Sequence, residues 1–216
     1  MCWTLTESLQ LGLLIVTSFA VLVALFGEMI REWIKRPEIR LEFDKTSDRC
    51  FREATVLVDE IQDKNFYKNV VRGYYRLKVK NGGGLAKNVK IKIDVFDSEE
   101  QEVQMFEPST LNWIRGKEKE DLARDEVNYF NVCSQIKPAD YEIVSKVGPN
   151  VFATISRQLR IELFDKSQKG IFWDLPLDNY IFKIMVHGDN FKPIVKNFEF
   201  EKSKSETDFG ELVEIN

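Results

Sequence analysis

The chain has 216 residues, 31 basic and 35 acidic side chains, a net charge of −4 and 44% hydrophobic residues. That length allows one domain with a proper core beside a terminal segment. Residues 1–36 balance Arg31, Lys35 and Arg36 against Glu7, Glu28 and Glu32, and 199–216 carries six acids against Lys202 and Lys204. What lies between is close to neutral, which argues against a nucleic-acid binder, a class marked by a basic patch or stripe.

A short N-terminal segment, 1–8, holds Trp3. From Leu9 to Ile30 the chain reads LQLGLLIVTSFAVLVALFGEMI, with no charge between Leu11 and Gly27. A helix rises about 1.5 Å per residue, so about 20 residues cross a hydrocarbon core of about 30 Å. The segment 9–36 is therefore expected to be a transmembrane helix with an amphipathic extension. Phe26, Met29, Ile30 and Trp33 form the apolar stripe of that extension, with Glu28, Arg31, Glu32, Lys35 and Arg36 between them. Pro37 disfavours helix at the preceding residue and marks the stop. Trp3 and Trp33 bracket the run as interfacial indoles, and Arg31, Lys35 and Arg36 lie at the inner boundary. Basic residues follow the span and none precedes it, so the amino terminus is expected outside and the domain in the cytoplasm, on a single-pass protein of the inner (plasma) membrane. A cleaved signal peptide fits poorly: it lacks a basic n-region, and Leu25 stands where cleavage after Gly27 needs a small side chain. Thr17, Ala20, Ala24 and Gly27 place small residues along one side, a spacing that permits helix packing in lipid and a homo-oligomer.

The sandwich domain is expected over 38–201. Ile39, Leu41 and Phe43 alternate with Arg40, Glu42 and Asp44 as a first strand. The clearest β pattern runs from Tyr74 to Val95: Tyr75, Leu77 and Val79 alternate with Arg76, Lys78 and Lys80, and Val89, Ile91, Ile93 and Val95 with Lys90, Lys92 and Asp94. Asn81-Gly82-Gly83-Gly84 connects them, and Leu85-Ala86-Lys87-Asn88 lacks the Gly-Lys-Ser/Thr of a phosphate-binding loop. Loops are expected near 98–126 and 134–158, with Leu111, Trp113 and Ile114 as core contacts and Leu122 pinned inward. Val151–Ile155 is a short apolar run. Further strands are expected around Tyr129–Val132, Leu159–Leu163, Tyr180–Val186 and Phe198–Phe200, with Asp174–Asp178 as a connection and His187–Asn190 as a turn. Residues 202–216 read as an acidic tail. About eight short strands punctuated by Gly, Pro, Asn and Asp indicate a mainly β fold, an antiparallel immunoglobulin-like β-sandwich behind the transmembrane α-helix.

Tyr75–Gly82 followed by Ala86-Lys87-Asn88-Val89 resembles the V-x-N-x-G … A-x-N-V hairpin of CARDB-type immunoglobulin-like modules. Leu111-Asn112-Trp113, Asp121-Leu122, Tyr129–Val132 and Asn179–Ile184 resemble prokaryotic single-pass membrane proteins of unknown function. The similarity covers about half of the domain, and it implies fold and architecture without an active site.

No residue pattern points to catalysis, a cofactor or a metal. His187 is the one histidine and lies in an expected turn, no Gly-x-Ser-x-Gly elbow occurs, and Cys2, Cys50 and Cys133 are too scattered for a zinc site or a CxxC pair. Asp97, Glu99, Glu100, Glu102 and Asp189 would be the carboxylates of a hydrolase or a calcium site, but solvated loops account for them. The expected function is a non-catalytic, membrane-anchored module that binds a protein partner at the cytoplasmic face. Arg76, Lys78, Lys80, Lys90 and Lys92 are an additional expectation for contact with anionic headgroups of the lipid bilayer. The alternative is an effector whose helix oligomerises in response to a signal sensed by the domain.

Overall fold

Strand alternation becomes structure through two sheets that bury their apolar faces against each other. In the computed structural model the described residues are 5–34, 36–58, 68–103, 109–111, 113–114, 118–140, 158–163, 171–205 and 207–215. They form two compact units, Met1–Arg36 and Pro37–Asn216.

The first unit is one helix, α1 (Leu5–Ile34). Its described side chains, 9–10 and 12–27, carry no charge and are exposed, apart from half-exposed Gly27. Among the described residues no helix is long and apolar enough to cross a membrane.

The second unit is antiparallel throughout its named strands. The first sheet contains β1 (Ile39–Glu42), β2 (Phe51–Val58), β3 (Lys68–Asn81), β7 (Val127–Ile136), β8 (Gln158–Leu163) and β9 (Ile171–Pro176). Its order is β1-β3-β7-β8-β9, with β2 also on β3. β1 meets Lys78–Asn81 and β2 meets Lys68–Tyr75, so the two act as one interrupted edge strand. The second sheet contains β4 (Ala86–Asp97), β5 (Ser109–Thr110), β6 (Glu120–Leu122), β10 (Tyr180–Gly188), β11 (Phe191–Glu201) and β12 (Glu211–Ile215), ordered β12-β11-β10-β4-β5 with β6 also on β4.

The core is where the inward rows of both sheets meet. Tyr75, Leu77, Val79, Phe130 and Val132 from the first sheet join Ile91, Ile93, Val95, Phe182, Ile184 and Phe200 from the second in one buried cluster. Tyr75 stacks edge-on against Phe200 at 5.4 Å between ring centres, and its Oη donates to Gly210 O at 2.7 Å. Leu111 and Trp113 stitch the sheets along one side. Leu111 bridges to Leu163 while its N–H donates to Ile91 O at 2.9 Å, and Trp113 bridges to Phe130 while its indole donates to Val89 O at 3.3 Å.

Several expectations change. β3 and β4 form no hairpin across Asn81–Gly84; the chain steps there from one sheet to the other, because each strand has one apolar face and the two faces are buried against opposite layers. Asn81 is completely buried at that step. Its amide donates to Gly84 O (2.5 Å), Leu122 O (2.9 Å) and Ala123 O (3.2 Å) and accepts the Glu38 and Gly83 N–H groups at 3.1 Å. Ile114 is 44% exposed rather than a core contact, whereas Leu111, Trp113 and Leu122 are buried. Asp174–Pro176 belongs to β9, and only Leu177–Asn179 connects it to β10. His187 and Gly188 end β10, leaving Asp189–Asn190 as the turn. The expected acidic tail, 202–216, supplies β12, whose Leu212 is buried: Glu211 and Glu214 stay exposed while one apolar side chain fills the core. Strand β2 and the first half of β3 were not legible, because their apolar residues do not alternate. The run Val151–Ile155 lies outside the described residues.

Candidate functional site

The residues expected at the membrane interface are distributed as follows. Trp3 and Lys35 lie outside the described residues; Arg31 and Trp33 fall within α1, their side chains likewise outside; Arg36 is exposed. Thr17, Ala20 and Ala24 are exposed on α1, and Gly27 is half-exposed. The Thr17 hydroxyl donates back to its own helix, to Leu13 O at 2.8 Å and Leu14 O at 3.1 Å, which satisfies it without a partner helix. An added Cβ at Gly27 meets nothing nearer than Val23 of the same helix at 3.8 Å.

The basic residues expected to meet headgroups do not form one patch. Arg76, Lys78 and Lys80 alternate outward from the first sheet, Lys90 and Lys92 outward from the second, so they occupy opposite faces of the sandwich. Lys78 is paired with Glu42 at 2.9 Å and Lys90 with Glu118 at 2.6 Å. The pairing with Lys78 lowers the Glu42 carboxyl below its usual range. One flat membrane cannot meet both faces.

The expected acidic cluster is a turn. Asp97 accepts the Glu99 and Gln101 N–H groups at 2.9 Å each, and Glu100 takes a left-handed φ of 59° to complete it. Asp189 bonds the amide of Asn88, which itself has φ 51°. His187 faces Lys92, Lys90 and Asp189; burial first, then the two lysines, lower it below the ordinary imidazole value. Its Nε2 is buried without a hydrogen-bond partner. Cys50 and Cys133 are buried free thiols, and burial pushes Cys133 well above the usual thiol range. No group of His, Cys, Asp and Glu among the described residues could hold a metal.

A polar concavity that the sequence did not announce opens on the outer face of the first sheet. It has a volume of about 200 Å³ and is lined by Arg72, Tyr74, Asn131, Cys133, Ser134, Arg160, Glu162 and Phe172. Register builds it. Arg52, Tyr74, Ser134, Arg160 and Asp174 stand directly opposite one another across five strands, and Arg76–Asn131 and Glu162–Phe172 form the neighbouring row. A β-bulge falls between Tyr75 and Arg76, where Cys133 and Asn131 are successive partners and Val132 is the extra residue. Such bulges bend a strand and re-aim side chains.

The walls are held firmly. Arg160 donates twice to Asp174, at 2.7 and 2.9 Å, and lies 4.9 Å over the Phe172 ring. Asn131 accepts from Arg76 Nε at 3.0 Å and donates to Glu162 at 3.3 Å. Arg76 lies 5.7 Å from the Tyr74 ring centre. Burial, then the nearby Arg52, lower the Arg76 guanidinium from its ordinary value. It stays protonated. Phe172 is 52% exposed beside these charges. The outward position of Arg76 was legible in sequence; that Arg72, Tyr74, Arg160, Glu162 and Phe172 share its face was not, since it depends on the unpatterned first half of β3 and on pairing with β7, β8 and β9. No protein-family model, no characterised protein and no solved structure matches this chain.

Proposed function

We propose that the chain is a single-pass membrane protein whose immunoglobulin-like β-sandwich binds a protein partner at the cytoplasmic face, without catalysis. The carrying observation is α1: from Gly12 to Gly27 every described side chain is uncharged, and Leu13, Leu14, Ile15, Val16, Phe19, Val21, Leu22, Val23 and Leu25 are all more than 49% exposed. Apolar area gains about 25 cal/mol per Å² on leaving water, so such a helix calls for a hydrocarbon or protein environment. The span Leu9–Ile30, with Trp3, Arg31, Trp33, Lys35 and Arg36 at its interfaces, favours the bilayer, and the basic residues behind it favour a cytoplasmic domain.

The immunoglobulin-like assignment, and with it the resemblance to CARDB-type modules, draws support from strand order. β3 pairs with β7 and β4 with β10, and the chain changes sheets between β3 and β4, β6 and β7, and β9 and β10. Tyr180, at the start of β10, donates its hydroxyl to Pro176 O at 2.9 Å, the geometry of a tyrosine corner. The β8–β9 pair lies beside β7, where a shorter sandwich has a single strand.

Alkaline extraction and crosslinking test the proposal. The full chain is expected to stay in the membrane pellet, its domain shielded from protease added outside, and to crosslink to a protein other than itself. Release into the supernatant overturns the anchor. The alternative, an effector assembled through Thr17, Ala20, Ala24 and Gly27, rests on those positions sharing one helix face. It gains if the chain crosslinks only to itself and leucines at these four positions abolish the product.

A further inference from the structure

Unpaired sheet edges can add a strand from another chain, and the edges of this sandwich differ in how they prevent it. β5 and β6 are two and three residues long, and β1 is four residues long with exposed Arg40 and Glu42. β2 shows exposed Arg52 and Glu53, and β9 ends in Pro176. Short strands, free charges and proline all discourage pairing. β12 is five residues long and contains no proline. Its two charges are neutralised within the chain: Lys45 donates to Glu211 at 2.5 Å and Lys196 donates to Glu214. Among the described residues β11 is its one partner strand. Between the glutamates stands exposed Val213, with half-buried Ile215 two positions on.

The strand is complementary to itself. In an antiparallel pair, residues directly opposite each other share a face of the sheet. Centred on Val213, a second copy of β12 sets Val213 opposite the partner's Val213, Glu211 opposite the partner's Ile215 and Leu212 opposite the partner's Glu214. No like charges meet, and each glutamate keeps its own lysine. Centred one residue later, Glu214 faces the partner's Glu214, which is unfavourable. Centred one residue earlier, Ile215 falls opposite a position beyond the strand. Charge and length select one register. That register maps onto itself under a two-fold axis, the condition for a closed dimer.

We propose that β12 pairs antiparallel with β12 of a second copy of this chain, centred on Val213, and joins their second sheets into one continuous sheet. The contact lies wholly within Pro37–Asn216. It goes beyond the anchored-module reading, since it needs neither α1 nor the protein partner. Five residues a side make a small interface, of the class that forms weak complexes. The dimer is therefore expected to dissociate on dilution.

Disulfide trapping tests it on the full chain in detergent micelles, with Cys2→Ser as background and Cys50 and Cys133 buried. Val213→Cys is expected to give a disulfide-linked dimer under mild oxidation, because directly opposite Cβ atoms stand about 4.5–5.5 Å apart. Val195→Cys is the control: the two valines are 45% and 44% exposed, but Val195 sits on β11. Its two copies would lie three strand spacings apart, about 14 Å, too far for a disulfide. It should therefore cross-link at least about tenfold more slowly. In sedimentation, Val213→Lys should weaken the dimer about tenfold by setting two cations directly opposite. If Val213→Lys fails to fold, the two cysteine variants decide. Equal rates for both cysteines, a monomer at every concentration, or a dimer indifferent to Val213→Lys overturns the proposal. A Val213→Cys product with a different protein also overturns it, since the edge then belongs to that protein. Leucines at Thr17, Ala20, Ala24 and Gly27 should leave the Val213→Cys dimer intact; its loss would assign assembly to the helix and overturn the edge. Release of the chain from membranes, which sinks the anchor, leaves a positive result standing.

Discussion

Asn81 holds together more of the chain than any other polar side chain described above. Its amide gathers the entry to β1, the glycine step between sheets and the turn that leads from β6 to β7. All of its groups are buried, so truncation strands several partners at once. Asn81→Ala is expected to lose about 3 kcal/mol in urea unfolding of the sandwich. Asn81→Asp should be worse at neutral pH, since it sets a carboxylate against three carbonyls. His187 supplies a pH signature. Its folded value lies below the unfolded one, so the folded state binds fewer protons, and stability falls as pH drops through the unfolded value of about 6.5. Melting from pH 8 to pH 5.5 should show a decline that His187→Gln flattens. Glu42 and Asp178, held low by Lys78 and Lys202, are lost only in a more acid window, below the usual carboxylate values. Cys133 should resist maleimide at pH 8 and react only on unfolding, because burial keeps its thiol protonated and covered. Asn81 was visible in the sequence as part of a turn; its role as a hub was not, because Leu122 and Ala123 are more than forty positions away.

At the scale of elements, alternation predicted the interior strands well. Val89, Ile91, Ile93 and Val95 are buried as expected, the last three opposite Val186, Ile184 and Phe182 of β10. Edge elements escaped: among the described residues β2 and β12 each pair with one strand, and they carry apolar residues on both faces, which erases the period of two. β12 provides a direct check. Deleting 211–216 should cost at least about 2 kcal/mol, the burial of one leucine and an edge pairing, where a solvated tail would cost nothing. Gly210→Ala should be comparably harmful, since its Cβ would stand 2.6 Å from Glu201 O and 2.5 Å from the Phe200 ring. Equilibrium unfolding of both variants measures this.

For the whole molecule, the division into Met1–Arg36 and Pro37–Asn216 implies separable failures. If α1 spans a bilayer as proposed, a charge in its middle, Val21→Arg, should release the chain from the membrane, since arginine at the centre of a span costs about 2.5–3.5 kcal/mol. The melting temperature of the sandwich should not move, and a joint loss would tie the helix to the fold. The sequence by itself determined the apolar run of α1 and the inward rows of β3, β4, β7, β8 and β10, because hydrophobic periodicity is a local property that burial enforces residue by residue. Only the tertiary structure decided which strands share a sheet. Outward residues look alike in sequence whichever layer carries them: Lys78 and Lys92 read identically yet stand on opposite faces. The pocket arises from register among β3, β7, β8 and β9, and such pairings set residues as distant as Tyr74 and Asp174 in one row across the sheet, an order governed by long-range contacts rather than by any nearby pattern.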